Sequence, residues 1–226
     1  MPKQFWFRKK RLFLLAKSKF LFANILLFFL FTSISCYRPD KQNNLPELLL
    51  LVANRPANLL ILGDSLSNFS NSFGIQNALG KNYIVRDLSV PGRDIRDWLV
   101  DLERGFSPLP DLVILPLGTN DAVNYPTSEF PQRLNDLLTR VRIRSASRIL
   151  LVCPPLTESP THTRNIATNN SYVRTLSSQY PVSDWEEVFR TNSNLDLYPS
   201  LDPIHPNPIG NQLIGARLVR DILQIR

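Results

Sequence analysis

Residues 58–67 read NLLILGDSLS, an apolar run that ends at a glycine and continues into an acid and two serines. A short uninterrupted apolar run is typical of a strand buried on both faces of a sheet. Asp64, Ser65 and Ser67 are residue types that cap helices, so a helix is expected to follow directly. A serine at this turn would expose its hydroxyl where a helix N-terminus favours negative charge. Ser65 is therefore either a nucleophile or simply part of a helix cap.

The same alternation of short apolar runs and longer amphipathic stretches continues along the chain. Further strands are predicted at residues 81–88, 111–117 and 148–153, with a weaker one around Val182. The spacing of apolar residues predicts helices at 67–79, 94–104, 128–144, 165–180 and 209–225. Near-continuous apolar strands that alternate with helices indicate an α/β fold, with a parallel sheet covered by helices on both faces.

The segment after the fourth predicted strand, residues 154–171, reads PPLTESPTHTRNIATNNS and is rich in proline, serine and threonine. This composition predicts a loop. Its position at the end of a strand favours a loop beside a substrate, and a surface connection without a function is an equally good interpretation.

The formal net charge of +7 is confined to the first 36 residues. Seven of the 26 lysines and arginines lie there, and none of the 19 acidic residues does. The rest of the chain therefore balances 19 basic residues against 19 acidic ones. The folded part has no net positive charge that would attract nucleic acid, so nucleic acid is not an expected partner.

Residues 1–36 have the layout of a secretory leader. A basic stretch up to Lys19 precedes an uncharged run over residues 20–35, and small residues surround Cys36. The run is short for a membrane-spanning helix and suits the core of a signal peptide. The sequence around Cys36 resembles a bacterial lipoprotein processing site, which makes this residue a lipidation candidate. A plain signal peptide and an uncleaved N-terminal anchor are the alternatives.

The predicted organisation is a leader at 1–36, a tether at 37–57 and one α/β domain at 58–226. The leader predicts export to the cell envelope, with a lipid anchor or an N-terminal segment attaching the domain to a bacterial membrane. One other cysteine is present, Cys153. If Cys36 is lipidated, no disulfide can form, and Cys153 is predicted to be a small buried residue.

The motif Asp202-Pro203-Ile204-His205 stands just before the last predicted helix. A serine hydroxyl becomes a good nucleophile when a base takes its proton, and imidazole is the usual base near neutral pH. The imidazole needs an acceptor on its other nitrogen, which a carboxylate three residues earlier in one loop can provide. The second histidine, His162, has no acid in a comparable arrangement. His205 is thus the better candidate base, with a surface histidine near a helix cap as the alternative.

Two further candidates follow the second and third predicted strands. Gly92 would let the backbone approach a ligand and offer its N–H, although any tight turn also favours glycine. Asn120 could donate a side-chain N–H to a tetrahedral oxyanion, or it could start a turn and cap the next helix. Each signal is weak alone, but loops at the carboxyl ends of parallel strands meet at one edge of a sheet.

In combination these residues resemble the SGNH family, also called the GDSL hydrolases. Gly63-Asp64-Ser65-Leu66-Ser67 matches the first family block and Asp202-Pro203-Ile204-His205 matches the last. Gly92 matches the glycine of the second block, and Asn120 matches the asparagine of the third. The resemblance covers about residues 58 to 225. It implies a flavodoxin-like, three-layer α/β/α sandwich with a mostly parallel five-stranded sheet, and neither a metal nor an organic cofactor.

The resemblance also implies a serine esterase. Ser65, His205 and Asp202 would form its catalytic triad. The amides of Ser65 and Gly92 and the side chain of Asn120 would form its oxyanion hole. The expected substrate is a small-molecule, lipid or glycan ester. The alternatives are a carbohydrate O-acetyl esterase or acetyltransferase acting on envelope glycans, and a non-enzymatic envelope binding protein.

Overall fold

A five-stranded sheet forms the centre of the computed structural model, which describes residues 55–225. The predicted leader, Cys36 and most of the predicted tether lie outside the described residues. The strands are β1 (Ala57–Ile61), β2 (Tyr83–Asp87), β3 (Leu112–Leu115), β4 (Arg148–Cys153) and β5 (Val182–Asp184). Their order across the sheet is β2-β1-β3-β4-β5, and every pair of neighbours is parallel. This is the flavodoxin-like order, so the predicted fold class is confirmed.

The strand β1 lies between β2 and β3, and its register fixes where the loops emerge. Leu59 is opposite Val85 on one side and Leu112 on the other. The chain runs outward to β2, crosses back to β3 and then continues in the opposite direction across the sheet. The strand order therefore reverses between β1 and β3, which is the position where open α/β sheets form binding crevices.

Eight α-helices lie between residues 55 and 225. They are α1 (Ser65–Phe69), α2 (Ile75–Leu79), α3 (Ile95–Asp101), α4 (Thr119–Asn124), α5 (Phe130–Arg144), α6 (Pro160–Thr175), α7 (Trp185–Thr191) and α8 (Pro208–Gln224). None of these helices combines the length and the apolar character that crossing a membrane requires.

Helices cover both faces of the sheet, because alternate residues of each strand point to opposite sides. On one face Leu60, Val113 and Leu151 pack with α3, α5 and α6. On the other face Leu59 and Ile114 pack with α2, α7 and α8. The core is thus two apolar layers separated by the sheet, as a three-layer sandwich requires.

The predicted helix at 67–79 is wrong, because the structure breaks it into α1 and α2. Asn71, Ser72 and Phe73 have φ angles of 50°, 55° and 56°, in the left-handed region that interrupts a right-handed helix. The break allows the buried Phe73 ring to pack edge-on against Trp185, with the ring centroids 4.8 Å apart. A long-range contact therefore overrides the local apolar spacing.

The prediction of a loop over residues 154–171 is also wrong for most of its length, whereas the helix predicted at 165–180 overlaps most of α6. The helix α6 begins at Pro160, which suits the first helical position because proline lacks the N–H that would have no partner there. The helix ends at Thr175 and buries Ile166 and Val173 against the sheet. Only residues 154–159 connect β4 to α6, so the loop beside the sheet edge is short.

Candidate active site

The turn that carries Ser65 is built by close packing at the end of β1. Gly63 has no room for a side chain, since a Cβ there would lie 2.6 Å from Ser89 Oγ and 2.8 Å from the Pro116 ring. The carbonyl of Gly63 accepts a hydrogen bond from the indole N–H of Trp98 at 3.1 Å. Ser65 follows as the first residue of α1, so its position depends on a tightly held turn.

Ser65, His205 and Asp202 lie together in a hydrogen-bonded chain. The Nε2 atom of His205 is 2.8 Å from Ser65 Oγ, although the two residues are 140 positions apart. The Nδ1 atom of the same ring is 2.7 Å from Asp202 Oδ2. These distances place a base next to a hydroxyl and an acceptor behind the base, which is the arrangement that activates a serine.

Asp202 is fixed by the backbone of its own loop as well as by the imidazole. Its Oδ1 accepts the N–H groups of Ile204 and His205, each at 3.0 Å. Partial burial alone would raise the pKa of the Asp202 carboxyl, but these two N–H groups and the imidazole together hold it below its ordinary value. Asp202 is therefore an anion at neutral pH and can orient the ring of His205.

Two neighbouring segments hold the loop of Asp202 and His205 in place. Asn207 caps α8 by accepting the N–H groups of Ile209 and Gly210, and its own N–H donates to the carbonyl of Leu197. On the other side, the N–H of Glu158 donates to the carbonyl of Pro203 at 2.8 Å. The short β4–α6 connection thus supports the loop that carries the imidazole.

Asn120 and Gly92 reach the same edge of the sheet, after β3 and β2. The side-chain amide of Asn120 donates to the carbonyl of Arg93 at 2.9 Å and to Asp64 Oδ2 at 3.3 Å. Gly92 has a φ of 80° and is exposed, with open space where a side chain would stand. A side chain would be strained at that φ, so glycine is required for the turn that delivers the Arg93 carbonyl. All the predicted site residues in the described part of the chain therefore lie in loops or first helical turns at this edge of the sheet.

Three buried aspartates lie near this edge of the sheet, and they were not predicted as a group from the sequence. They are Asp64, Asp94 and Asp121. Burial raises the pKa of the Asp64 carboxyl to about 7, and the neighbouring charge of Asp121 adds to the rise. Burial likewise raises the pKa of Asp121 to about 6, helped by Asp94 and opposed by the N–H of Ile95 and by Arg133. Carboxyl groups with pKa values raised this far occur at functional sites, and they also occur in structural networks of charged groups.

A cavity of about 350 Å³ lies between α7 and the segments around residues 156–158 and 193–198. Phe189 and Tyr198 supply apolar surface, and Glu158 is also a lining residue. Ser65 and His205 are not among its lining residues. Within residues 55–225, no group of three or more histidine, cysteine, aspartate or glutamate side chains is arranged to hold a metal ion.

Cys153 is fully buried at the end of β4, as predicted. Burial raises the pKa of its thiol to about 12, and nearby Asp184 adds to the rise. Its sulfur lies 3.7 Å from the carbonyl of Asn170. A thiol of this kind is inert, so Cys153 is a packing residue.

A parallel α/β sheet with a serine hydroxyl, an imidazole and a carboxylate in sequence at its carboxyl edge is typical of serine hydrolases. A family model described as the GDSL-like lipase/acylhydrolase family matches residues 61–213. The chain belongs to this family and is an ester-hydrolysing enzyme, so the resemblance seen in the sequence is confirmed. A comparison with curated protein sequences finds no match.

Solved structures with the same fold include three bacterial proteins. A lipase/acylhydrolase from Enterococcus faecalis has a TM-score of 0.65 and 21% identity, over 74% of this chain and 95% of that one. A catalytic mutant of an acetylxylan esterase from Geobacillus stearothermophilus has a TM-score of 0.64 and 18% identity, over 75% and 95%. A member of the lipolytic G-D-S-L family from Veillonella parvula has a TM-score of 0.63 and 14% identity, over 75% and 97%. At such low identities the similarity establishes the fold.

Proposed function

We propose that the enzyme cleaves carboxylic esters through an acyl-enzyme intermediate, with Ser65 as nucleophile, His205 as base and Asp202 as the orienting carboxylate. The supporting observation is the contact of 2.8 Å between His205 Nε2 and Ser65 Oγ, continued by the contact of 2.7 Å between Nδ1 and Asp202. A base within hydrogen-bond reach of the proton that it abstracts meets the geometric requirement for general base catalysis.

The reaction begins when Ser65 Oγ attacks the acyl carbon and His205 Nε2 accepts the hydroxyl proton. Asp202 stabilises the resulting imidazolium and keeps Nδ1 protonated. His205 then gives the proton to the departing alcohol, which leaves Ser65 acylated. A water molecule then attacks the acyl carbon, and His205 accepts its proton. The bond between the acyl carbon and Ser65 Oγ breaks, His205 returns the proton to Oγ, and the carboxylic acid is released.

Negative charge develops on the former carbonyl oxygen in each half of the reaction. The N–H groups of Ser65 and Gly92 and the side-chain amide of Asn120 are the proposed donors to this oxygen. Gly92 supports this role because it is exposed at a positive φ, where the backbone is accessible to a substrate. Asn120 supports it because its amide lies between the turn of Asp64 and the turn after Gly92.

The proposed substrate is an ester with a small or flexible acyl group. The connection from β4 to α6 spans residues 154–159 only, and the ring of His205 is partly exposed. A second candidate is an O-acetyl group on a carbohydrate, with hydrolysis or transfer of the acetyl group. It is favoured by the solved acetylxylan esterase that shares the fold. Export and lipid anchoring through Cys36 would expose the enzyme to either substrate in the cell envelope.

The decisive experiment is labelling of the purified chain with a fluorophosphonate probe, which reacts with activated serines whatever the natural substrate. The wild-type chain is expected to be labelled, and Ser65→Ala to be unlabelled and inactive. Retention of full ester hydrolysis by Ser65→Ala would refute the assignment. Ser67→Ala is the matched control, since Ser67 is a buried serine of the same helix.

The substrate class follows from parallel assays on p-nitrophenyl acetate, longer-chain p-nitrophenyl esters and acetylated xylo-oligosaccharides. Activity that rises with acyl chain length would contradict the carbohydrate candidate. Rapid release of acetate from the oligosaccharides, with little activity on long acyl chains, would favour it. Lipidation of Cys36 is tested by acyl labelling in cells, with Cys36→Ala as the unlabelled control.

A further inference from the structure

The two carboxylate oxygens of Asp64 have different partners. Oδ1 accepts the backbone N–H of Leu66 at 2.9 Å and so caps α1. Oδ2 accepts the side-chain N–H of Asn120 at 3.3 Å. A helix cap needs only one acceptor atom. The second oxygen therefore links the turn of the nucleophile to the residue proposed as an oxyanion donor.

Asp64 is only 1% exposed, which is costly for a group that serves as a cap. An ionisable group that is buried loses its hydration, and hydrogen bonds inside the protein have to replace it. Serine or asparagine would cap α1 equally well without this cost. The burial of an acid at this position indicates a role for Asp64 besides capping.

Asn120 is held from two sides. Its side-chain amide has two N–H groups, and the structure gives the amide two acceptors, the carbonyl of Arg93 and Asp64 Oδ2. Two fixed acceptors determine both the position and the plane of the carboxamide. Hydrogen-bond donors stabilise a developing oxyanion best when they are oriented before the reaction.

We propose that Asp64 is a positioning residue for ester hydrolysis, which holds the carboxamide of Asn120 in the orientation from which it donates to the oxyanion. This inference rests on the proposed function, in which Asn120 is one of the donors. The contact with Asp64 is longer than the contact with Arg93, so the N–H directed at Asp64 is the one that the oxyanion shares.

The electrostatics of the buried site agree with this role. A permanently ionised carboxylate close to an oxyanion would repel it. Burial raises the pKa of the Asp64 carboxyl to about 7, with Asp121 of α4 adding to the rise, so a substantial fraction is neutral at neutral pH. A neutral carboxyl still accepts a hydrogen bond through its carbonyl oxygen. Asp64 can therefore hold Asn120 without opposing the charge that forms in the reaction.

The test is Asp64→Asn, made both in the wild-type chain and together with Asn120→Ala. The substitution keeps one oxygen for the N–H of Leu66 but replaces the other with an amide nitrogen that cannot accept. We expect kcat to fall about 10-fold or more in the wild-type background while KM changes less than about 2-fold, because the lost interaction belongs to the transition state. In the Asn120→Ala background the same substitution is expected to change kcat less than about 2-fold.

Asp184→Asn is the matched control. Asp184 is a half-buried aspartate that also caps a helix, and its Oδ1 accepts the N–H of Glu187 at the start of α7. Its Oδ2 accepts from Arg174 rather than from Asn120. The control should keep kcat within about 2-fold of the wild type, since it repeats the loss of a helix-capping carboxylate without touching the proposed donor or the buried aspartates near it.

Three results would overturn the inference. They are an unchanged kcat in Asp64→Asn, an equal fall in both backgrounds and a normal kcat in Asn120→Ala. An equal fall would mean that Asp64 acts on Ser65 directly. Failure of the proposed function is a separate outcome, since it shows as activity retained by Ser65→Ala.

A second measurement serves if Asp64→Asn does not fold. The N–H of Asn120 favours the ionised form of Asp64, so Asn120→Ala should raise the pKa of Asp64 in a carboxyl-carbon NMR titration. An unchanged titration would show that the two side chains are not coupled, and would equally overturn the inference.

Discussion

The ring of Phe69 packs against the imidazole of His205, with centroids 5.1 Å apart and an interplanar angle of 59°. Phe69 is the last residue of α1, the helix that begins with Ser65. Both ends of α1 therefore contact the imidazole of His205: the first residue through the hydroxyl of Ser65, and the last through the ring of Phe69. Phe69 is 64% exposed, so its ring packs against His205 without being part of the core.

Phe69→Ala is expected to lower kcat without unfolding the protein. The ring restrains the imidazole beside Ser65, and an aromatic pair contributes about 0.5–1.5 kcal/mol, which corresponds to about a 2- to 10-fold fall. The melting temperature should stay close to that of the wild type, because the side chain is mostly exposed. Leu109→Ala, at an exposed apolar residue of another loop, is the control. An unchanged kcat in Phe69→Ala would show that the ring does not restrain His205.

Asp202→Asn is expected to lower kcat by about 10²- to 10⁴-fold with little change in KM. An asparagine in this loop keeps the shape of the side chain but no longer stabilises the imidazolium or secures the tautomer with Nδ1 protonated. Steady-state kinetics on p-nitrophenyl acetate would measure the loss. Asp196→Asn, an exposed acid earlier in the same loop, should leave the rate unchanged. A loss of less than about 10-fold in Asp202→Asn would remove Asp202 from the proposed triad.

The sheet could be predicted from the sequence because its strands are apolar on both faces. The predicted strand at 148–153 coincides with β4, and the run at 58–62 is displaced from β1 by one residue. The helices were harder to predict where a distant contact decides their length. The helix predicted at 67–79 is interrupted where Phe73 packs on Trp185. The local sequence pattern around Phe73 does not indicate that a residue so far along the chain will contact it.

The candidate site could be predicted as far as each residue lies in a local motif. The loop from Asp202 to His205 has its acid and its imidazole three residues apart, and the structure joins them at 2.7 Å. The contact between the motifs of Ser65 and His205 was expected from the family resemblance. Other contacts between motifs could not be foreseen, because their distances depend on the register of the whole sheet. The link from Asp64 to Asn120 is of this kind. Its one signal in the sequence was an acid at a position where a serine would suffice as a cap.

Asn120→Ala is expected to lower kcat by about 10²- to 10³-fold, the cost of removing one oxyanion donor. The reactivity towards a fluorophosphonate should fall as well, since the phosphonyl oxygen occupies the same place as the oxyanion. KM should change little, because the interaction strengthens only as charge develops. Asn124→Ala, at the other end of α4, is the control for damage to the helix. A fall in kcat of equal size in both variants would trace the effect to α4 as a whole.

The pH dependence of folding stability gives an independent check on Asp64. Its pKa of about 7 in the folded chain lies above the ordinary value of 3.8, so the folded state binds more protons than the unfolded state between these values. Stability contributed by this group therefore falls as pH rises from about 4 to about 7. Asp64→Asn removes the titration, so its melting temperature relative to the wild type should rise by on the order of 5–10 °C between about pH 5 and pH 8. A difference in melting temperature that stays constant with pH would mean that Asp64 ionises in the folded chain as readily as in the unfolded one.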